Sequence, residues 1–155
     1  IINCQAQNER IIKPFSQFNP STHESRIELV GLIRNKVIDV DFSYSVNGTH
    51  FDEYVFNLSK YTFCLCPRGN GIDTHRIWEA LYMGCIPIVQ NHLTHKCLSG
   101  LPILFVDDWQ EVTQQKLVQF LDEATNIFYN LCKARSYLPI LCIISKSFRL
   151  STGRI

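Results

Sequence analysis

The densest group of chemistry-bearing side chains lies between Pro67 and Glu79, where Arg68, Gly69, Asn70, Gly71, Asp73, Thr74, His75, Arg76 and Glu79 follow one another closely. The run Pro67-Arg68-Gly69-Asn70-Gly71 ends an apolar stretch and feeds a helix. A helix N-terminus offers unpaired N–H groups and a partial positive charge, a setting for phosphate. Gly69 and Gly71 let backbone approach a ligand closely. Arg68 adds a permanent forked cation suited to a diphosphate. Arg76 in the first helical turn opposes the dipole unless an anion sits there. The alternative for the same helix face is a solvated surface with an Arg76–Glu79 pair, contributing ~0.2–0.5 kcal/mol. On the residues alone the two readings stand level.

Three other groupings are weaker. Asp39-Val40-Asp41 puts two carboxylates at strand spacing, on one face, where a divalent cation could bind; the alternative is a polar strand end. His92, His95 and Cys97 lie close together, but their spacing matches no common zinc site. Cys85 has no histidine and acid placed to activate it. No Gly-Lys-Ser/Thr completes a phosphate loop, no third glycine completes a dinucleotide fingerprint, and no Gly-x-Ser-x-Gly elbow occurs.

Positioning the Arg68–Glu79 run requires strands and helices in alternation. A helix is expected from Ser21 or Thr22 to about Lys36, a strand over Val37–Phe42, a turn at Ser45–Gly48 and a short helix over Asp52–Lys60. Tyr61–Cys66 reads as a buried strand. Asp73 is expected to cap a helix from Thr74 to Met83, with Ile77, Trp78, Ala80, Leu81 and Gly84 facing the sheet and His75, Arg76, Glu79 and Met83 facing away. Strands follow at Cys85–Val89 and Leu101–Val106, then a helix from Thr113 past Glu123. Helices between short, continuously apolar strands indicate an α/β fold: an open parallel sheet covered on both faces, whose ligands bind beyond the carboxyl ends of the strands.

The chain has 155 residues, 46% apolar and 19% charged, enough to bury the core of one domain. A net charge of +1 argues against a nucleic-acid binder working by bulk charge. That mean hides an asymmetry: every acid lies at or before Glu123, whereas Lys133, Arg135, Lys146, Arg149 and Arg154 follow with none. Residues 134–155 therefore read as an irregular basic tail. No apolar run is long enough for a membrane span. The chain opens at Ile1, so upstream sequence is expected. The seven cysteines include no Cys-x-x-Cys pair, and Cys64 and Cys66 read as small hydrophobes of a strand. Asn47-Gly48-Thr49 and Asn57-Leu58-Ser59 are sequons, relevant only to a secretory domain.

The run from Tyr61 to Val89, YTFCLCPRGNGIDTHRIWEALYMGCIPIV, resembles the donor-binding C-terminal half of exostosin-like glycosyltransferases (family GT47) and related inverting GT-B enzymes. The strand ending in Cys-Pro-Arg-Gly, the Gly-Ile-Asp-Thr-His-Arg approach, the Trp-Glu-Ala-Leu helix and the Gly-Cys-Ile-Pro-Ile-Val strand carry the likeness. Leu101–Trp109 and the helix after Thr113 support it, and Thr22-His23 with Arg26 is compatible. The likeness covers roughly residues 20–125, with its motif core at 61–109.

The resemblance implies that residues 1–133 form a Rossmann-like nucleotide-sugar-binding domain, one half of a GT-B enzyme. Arg68 and Arg76 would contact the diphosphate of a UDP- or GDP-sugar, aided by the helix start at Asp73-Thr74. Glu79 would accept hydrogen bonds from ribose or sugar hydroxyls. Gly69, Asn70, Gly71, His75 and Arg26 complete the expected site. The resemblance also implies that no bound metal is required. The partner of this domain would be an N-terminal acceptor domain carrying the catalytic base, and the second substrate a glycan or protein-linked acceptor. Exostosin-like enzymes work in the Golgi lumen behind an N-terminal anchor; relatives elsewhere can be cytosolic. The alternative function is a non-catalytic nucleotide- or phosphate-binding module, or a decayed paralogue.

Overall fold

The computed structural model describes residues 10–44 and 51–133, those from 125 onward by backbone alone. The turn expected at Ser45–Gly48, the sequon at Asn47 and the basic tail lie outside the described residues. Five strands form one parallel sheet in the order β2-β1-β3-β4-β5. They are β1 (Ile11–Phe18), β2 (Asp41–Tyr44), β3 (Tyr61–Leu65), β4 (Ile86–Gln90) and β5 (Leu104–Val106). The helices are α1 (Glu24–Arg34), α2 (Phe51–Leu58), α3 (His75–Tyr82) and α4 (Gln114–Lys133), and a 3-10 segment at Leu93–Leu98 joins β4 to β5. This is an α/β, Rossmann-like doubly wound fold. Its strand order reverses between β1 and β3, the switch point where such sheets open a crevice.

Two apolar clusters sandwich the sheet. On one face Leu29 and Val30 of α1 and Leu117, Leu121 and Ala124 of α4 pack with Phe18, Phe63, Leu65, Ile86 and Ile88. On the other Tyr54 and Leu58 of α2 and Ile77, Ala80 and Leu81 of α3 pack with Phe15, Cys64 and Val89. Strand alternation sends Phe63 and Leu65 to one cluster and Cys64 to the other, as burial on both faces requires. Cys64 and Cys66 are buried within this packing, as small hydrophobes would be.

Several expectations need correction. The sheet is built on β1, over Ile11–Phe18, which the apolar pattern did not reveal. Lys13, Pro14, Ser16 and Gln17 interrupt the run, yet Phe15–Phe18 are all buried. Pro14 lies where the β1–β3 register shifts, one of the few places a proline fits inside a sheet, and Ser16 Oγ donates to Leu65 O at 2.9 Å. The strand expected at Val37–Phe42 begins later, at Asp41; Ile38 and Val40 reach the core from a loop. α1 starts at Glu24, because His23 supplies the cap by accepting from the Ser25 N–H. β5 is confined to Leu104–Val106.

In α3, Ile77, Ala80 and Leu81 are buried as expected, but Trp78 is 39% exposed, outside the packed face. The N-cap is Thr74 instead of Asp73, and the Thr74 side chain makes no capping bond. The helix closes at Met83 and turns at Gly84, whose φ of 71° suits a residue without a Cβ. Buried Arg10 secures that turn, donating to Met83 O at 2.8 Å, Gly84 O at 2.9 Å and Tyr61 O at 3.2 Å.

Candidate functional site

The carboxyl ends of β1 and β3 bring Arg26, Arg68 and Arg76 together. Arg26 comes from α1 on one face of the sheet and Arg76 from α3 on the other. Arg26 is only 7% exposed. Its Nε donates to Arg68 O at 2.7 Å, Nη2 to Pro67 O at 3.2 Å and Nη1 to Asn19 O at 3.3 Å. The guanidinium also lies 5.3 Å from the Phe18 ring centroid, within cation–π range. Burial, then the nearby Arg76 charge, lowers its pKa to about 10, so it stays charged at physiological pH.

Arg76 is half-buried. Its Nη2 donates to Gln17 O at the end of β1, and its guanidinium sits 5.9 Å from the Tyr54 ring centroid. It forms no ion pair with Glu79 among the described residues, so the solvated-pair reading of this helix face does not describe it. Arg68 Nε, Thr74 Oγ1 and Arg76 Nε are buried without a hydrogen-bond partner among the described residues. Each unmet buried polar group costs roughly 1–3 kcal/mol unless something satisfies it. All three lie in the loop that follows β3 or at the start of α3, whose N-cap side chain makes no capping bond. An anion accepts from guanidinium, hydroxyl and helix N–H groups alike, which makes this end of the sheet chemically fit for a phosphate group.

The remaining expected residues form the rim. Asn70, Gly71, Asp73 and His75 are exposed, and Glu79 is half-buried one turn into α3. Gly69 is buried, and the Gly69 N–H donates to Gly71 O at 3.1 Å, folding the loop on itself. A Cβ at Gly69 would stand 3.2 Å from Arg26 Nη2, so close packing against Arg26 is what this position demands. Sequence reasoning missed the supports Gln17, Phe18 and Tyr54. The Asn19-Pro20 turn directly after an aromatic residue was the one local sign of a strand end there.

The weaker groupings have other occupations. Lys13 Nζ bridges Asp39 at 2.8 Å and Asp41 at 2.6 Å, and Tyr61 Oη donates to Asp41 at 2.9 Å. Burial pushes the Asp41 carboxyl up, but hydrogen bonds from Lys13 and Tyr61 outweigh it and hold the group below its ordinary value. Hydrogen bonds to Asp39 and then Asp41 push Lys13 up to about 12. His92 caps the 3-10 segment through the Thr94 N–H, His95 Nδ1 lies 3.1 Å from Gln90 O, and Cys97 Sγ donates to Thr94 O. Buried Cys85 Sγ lies 3.2 Å from both Leu58 O and Tyr61 O, so its single S–H can donate to either.

A doubly wound parallel sheet, with Arg26 and Arg76 meeting the end of β1 at its switch point, defines an α/β domain of Rossmann-like class. A family model described as the RXYLT1 C-terminal domain matches residues 21–127, and the chain belongs to that family of exostosin-like glycosyltransferase C-terminal domains. It is also similar to two Arabidopsis thaliana proteins named as probable glycosyltransferases. One is 27% identical over 85 residues, covering 54% of this chain and 17% of the relative. The other is 44% identical over 48 residues, covering 31% of this chain and 9% of the relative. The matched chain thus spans a small part of either relative's length.

Proposed function

We propose that this chain is the donor-binding domain of a glycosyltransferase and that it holds the diphosphate of a UDP- or GDP-sugar beyond β1 and β3. The observation that carries this reading is the set of unmet donors Arg68 Nε, Thr74 Oγ1 and Arg76 Nε at the start of α3. Family membership supplies the reaction class, and these groups supply the chemistry.

Arg68 and Arg76 bind the phosphates, with the α3 N-terminus at Asp73-Thr74 assisting. Glu79, half-buried on the same helix, accepts from ribose or sugar hydroxyls, while Asn70, Gly71 and His75 shape the rim. As the bond between the anomeric carbon and the phosphate oxygen breaks, negative charge grows on the diphosphate. Fixed guanidinium groups and a helix dipole stabilise that charge without reorganising, the largest contribution a binding domain makes to such a transfer. Two arginines and the dipole supply the counter-charge, so donor binding is metal-independent. The acceptor, a glycan or a protein-linked sugar, and the general base belong to an N-terminal acceptor domain beyond this chain. Any membrane attachment belongs to an upstream anchor. The donor domain itself occupies residues 1–133.

Titration of the chain with uridine, UMP, UDP and GDP, each with and without Mn²⁺, tests the reading. Affinity that rises steeply from uridine to UDP and ignores Mn²⁺ supports it. A folded chain that binds none of them refutes it.

A further inference from the structure

We propose that Arg26 is the positioning residue of the 67–71 loop: it sets the loop backbone for the anion and does not itself touch the ligand. This rests on the donor-site reading above and names the part of the fold that holds the site in shape.

The geometry is that of a strut. Three of the Arg26 nitrogens donate to the carbonyls of Asn19, Pro67 and Arg68. Asn19 follows β1, and Pro67 and Arg68 follow β3, so one guanidinium ties together both sides of the switch point. A guanidinium is planar with donors in a rigid fork, so it fixes two carbonyls relative to one another as an ammonium cannot. Trans peptide planarity carries this one step further. With the Pro67 and Arg68 carbonyls turned toward Arg26, the N–H groups of Arg68 and Gly69 point away from it. The Gly69 N–H accordingly meets Gly71 O at 3.1 Å and closes the loop. The Phe18 ring lies against the guanidinium, and the absence of a side chain at Gly69 leaves room for Nη2. Loop, strand end and helix α1 thereby form one unit around a side chain that is almost wholly buried.

The test combines amide hydrogen exchange of the ligand-free chain with UDP titration, in wild type, Arg26→Ala, Arg26→Lys, Gly69→Ala and the Arg26→Ala/Gly69→Ala double variant. In Arg26→Ala the Gly69 amide is expected to exchange about tenfold faster, as its local opening becomes easier, while amides inside β3 and α3 keep their rates. UDP affinity falls about tenfold in step, the scale expected for losing charge-assisted hydrogen bonds. Arg26→Lys keeps the charge yet reproduces most of both effects. Gly69→Ala, which pushes on Nη2, moves both readouts the same way and adds nothing in the Arg26→Ala background.

Affinity lost with Gly69 exchange unchanged, or full rescue by lysine, would make Arg26 a direct charge contact and overturn the proposal. So would unchanged exchange and affinity together. If the wild-type chain binds no nucleotide, the donor-site reading fails by itself, and the exchange measurements then decide the role of Arg26. If Arg26→Ala does not fold, Arg26→Lys and Gly69→Ala carry the same comparison.

Discussion

Arg26 and Arg76 converge on the end of β1 from opposite faces of the sheet. Arg26 lies over the Phe18 ring and Arg76 donates to Gln17 O, so two successive residues of one strand receive one guanidinium each. The Arg76 charge is near enough to lower the pKa of Arg26, after burial the next cause. Two like charges held together with buried, unmet donors destabilise the free protein locally. A bound anion relieves both terms, which gives the site a physical reason to take one.

Arg10 is a structural counterpart at the other end of α3. It meets the Met83 and Gly84 carbonyls where the helix dipole is negative, and a cation there is favourable. Arg10→Ala leaves those two carbonyls short of a donor and removes one of the donors within reach of Tyr61 O. The expected loss is about 2–3 kcal/mol, measured as a lower urea midpoint. A midpoint unchanged from wild type would contradict this role.

The Lys13–Asp41–Tyr61 cluster sets an acid and an alkaline limit. The folded Asp41 carboxyl lies below its ordinary value of 3.8, so its contribution is present above that value and lost as pH falls through the folded pKa. Lys13 rises from 10.5 to about 12, so its contribution is present below 10.5 and lost as pH climbs toward 12. Both groups are partly exposed, so Asp41→Asn is expected to cost only ~0.5–1 kcal/mol at neutral pH. The difference from wild type should shrink as pH drops to about 2. Urea midpoints across pH check this; a difference that grows toward acid would contradict it.

Thiol reactivity should sort by burial. Among the described cysteines Cys97 is exposed, while Cys64, Cys66 and Cys85 are buried. Burial pushes the Cys85 thiol up to about 12, and hydrogen bonding with Cys66 together with burial raises Cys64. The thiolate is the reactive form, so iodoacetamide should modify Cys97 well before these three in the native chain. Peptide mapping of a timed reaction gives the order. Cys85 labelled as fast as Cys97 would contradict the packing.

How much of this was legible in the sequence varies along the chain. β3, α3, β4 and α4 were legible because their apolar residues keep one period, with Pro67 just beyond β3 and Gly84 just beyond α3. β1 did not, because its burial rests on side chains that polarity alone misreads. Ser16 and Gln17 are buried, with Ser16 bonded to Leu65 O, and Pro14 sits at a register shift. Missing β1 hid Gln17 and Phe18, and with them the reason Arg76 and Arg26 lie where they do. Trp78 was misplaced because a projection at 100° per residue cannot tell a sheet-facing position from a flanking one on an eight-residue helix. The motif residues from Arg68 to Glu79 were singled out by type and spacing together with the family resemblance, and their role is the one proposed above. The use of the Arg26 guanidinium on three carbonyls was not legible, since two of the three contacts, to Pro67 and Arg68, span more than forty residues.

The most direct test of the donor-site account compares UDP binding by the wild-type chain and Arg76→Ala in one calorimetric series, with thermal unfolding as a control for fold. Arg76→Ala is expected to weaken UDP more than tenfold, the scale of a lost charge-assisted contact to phosphate, while the chain stays folded. Equal UDP affinity in the two folded proteins would contradict the account.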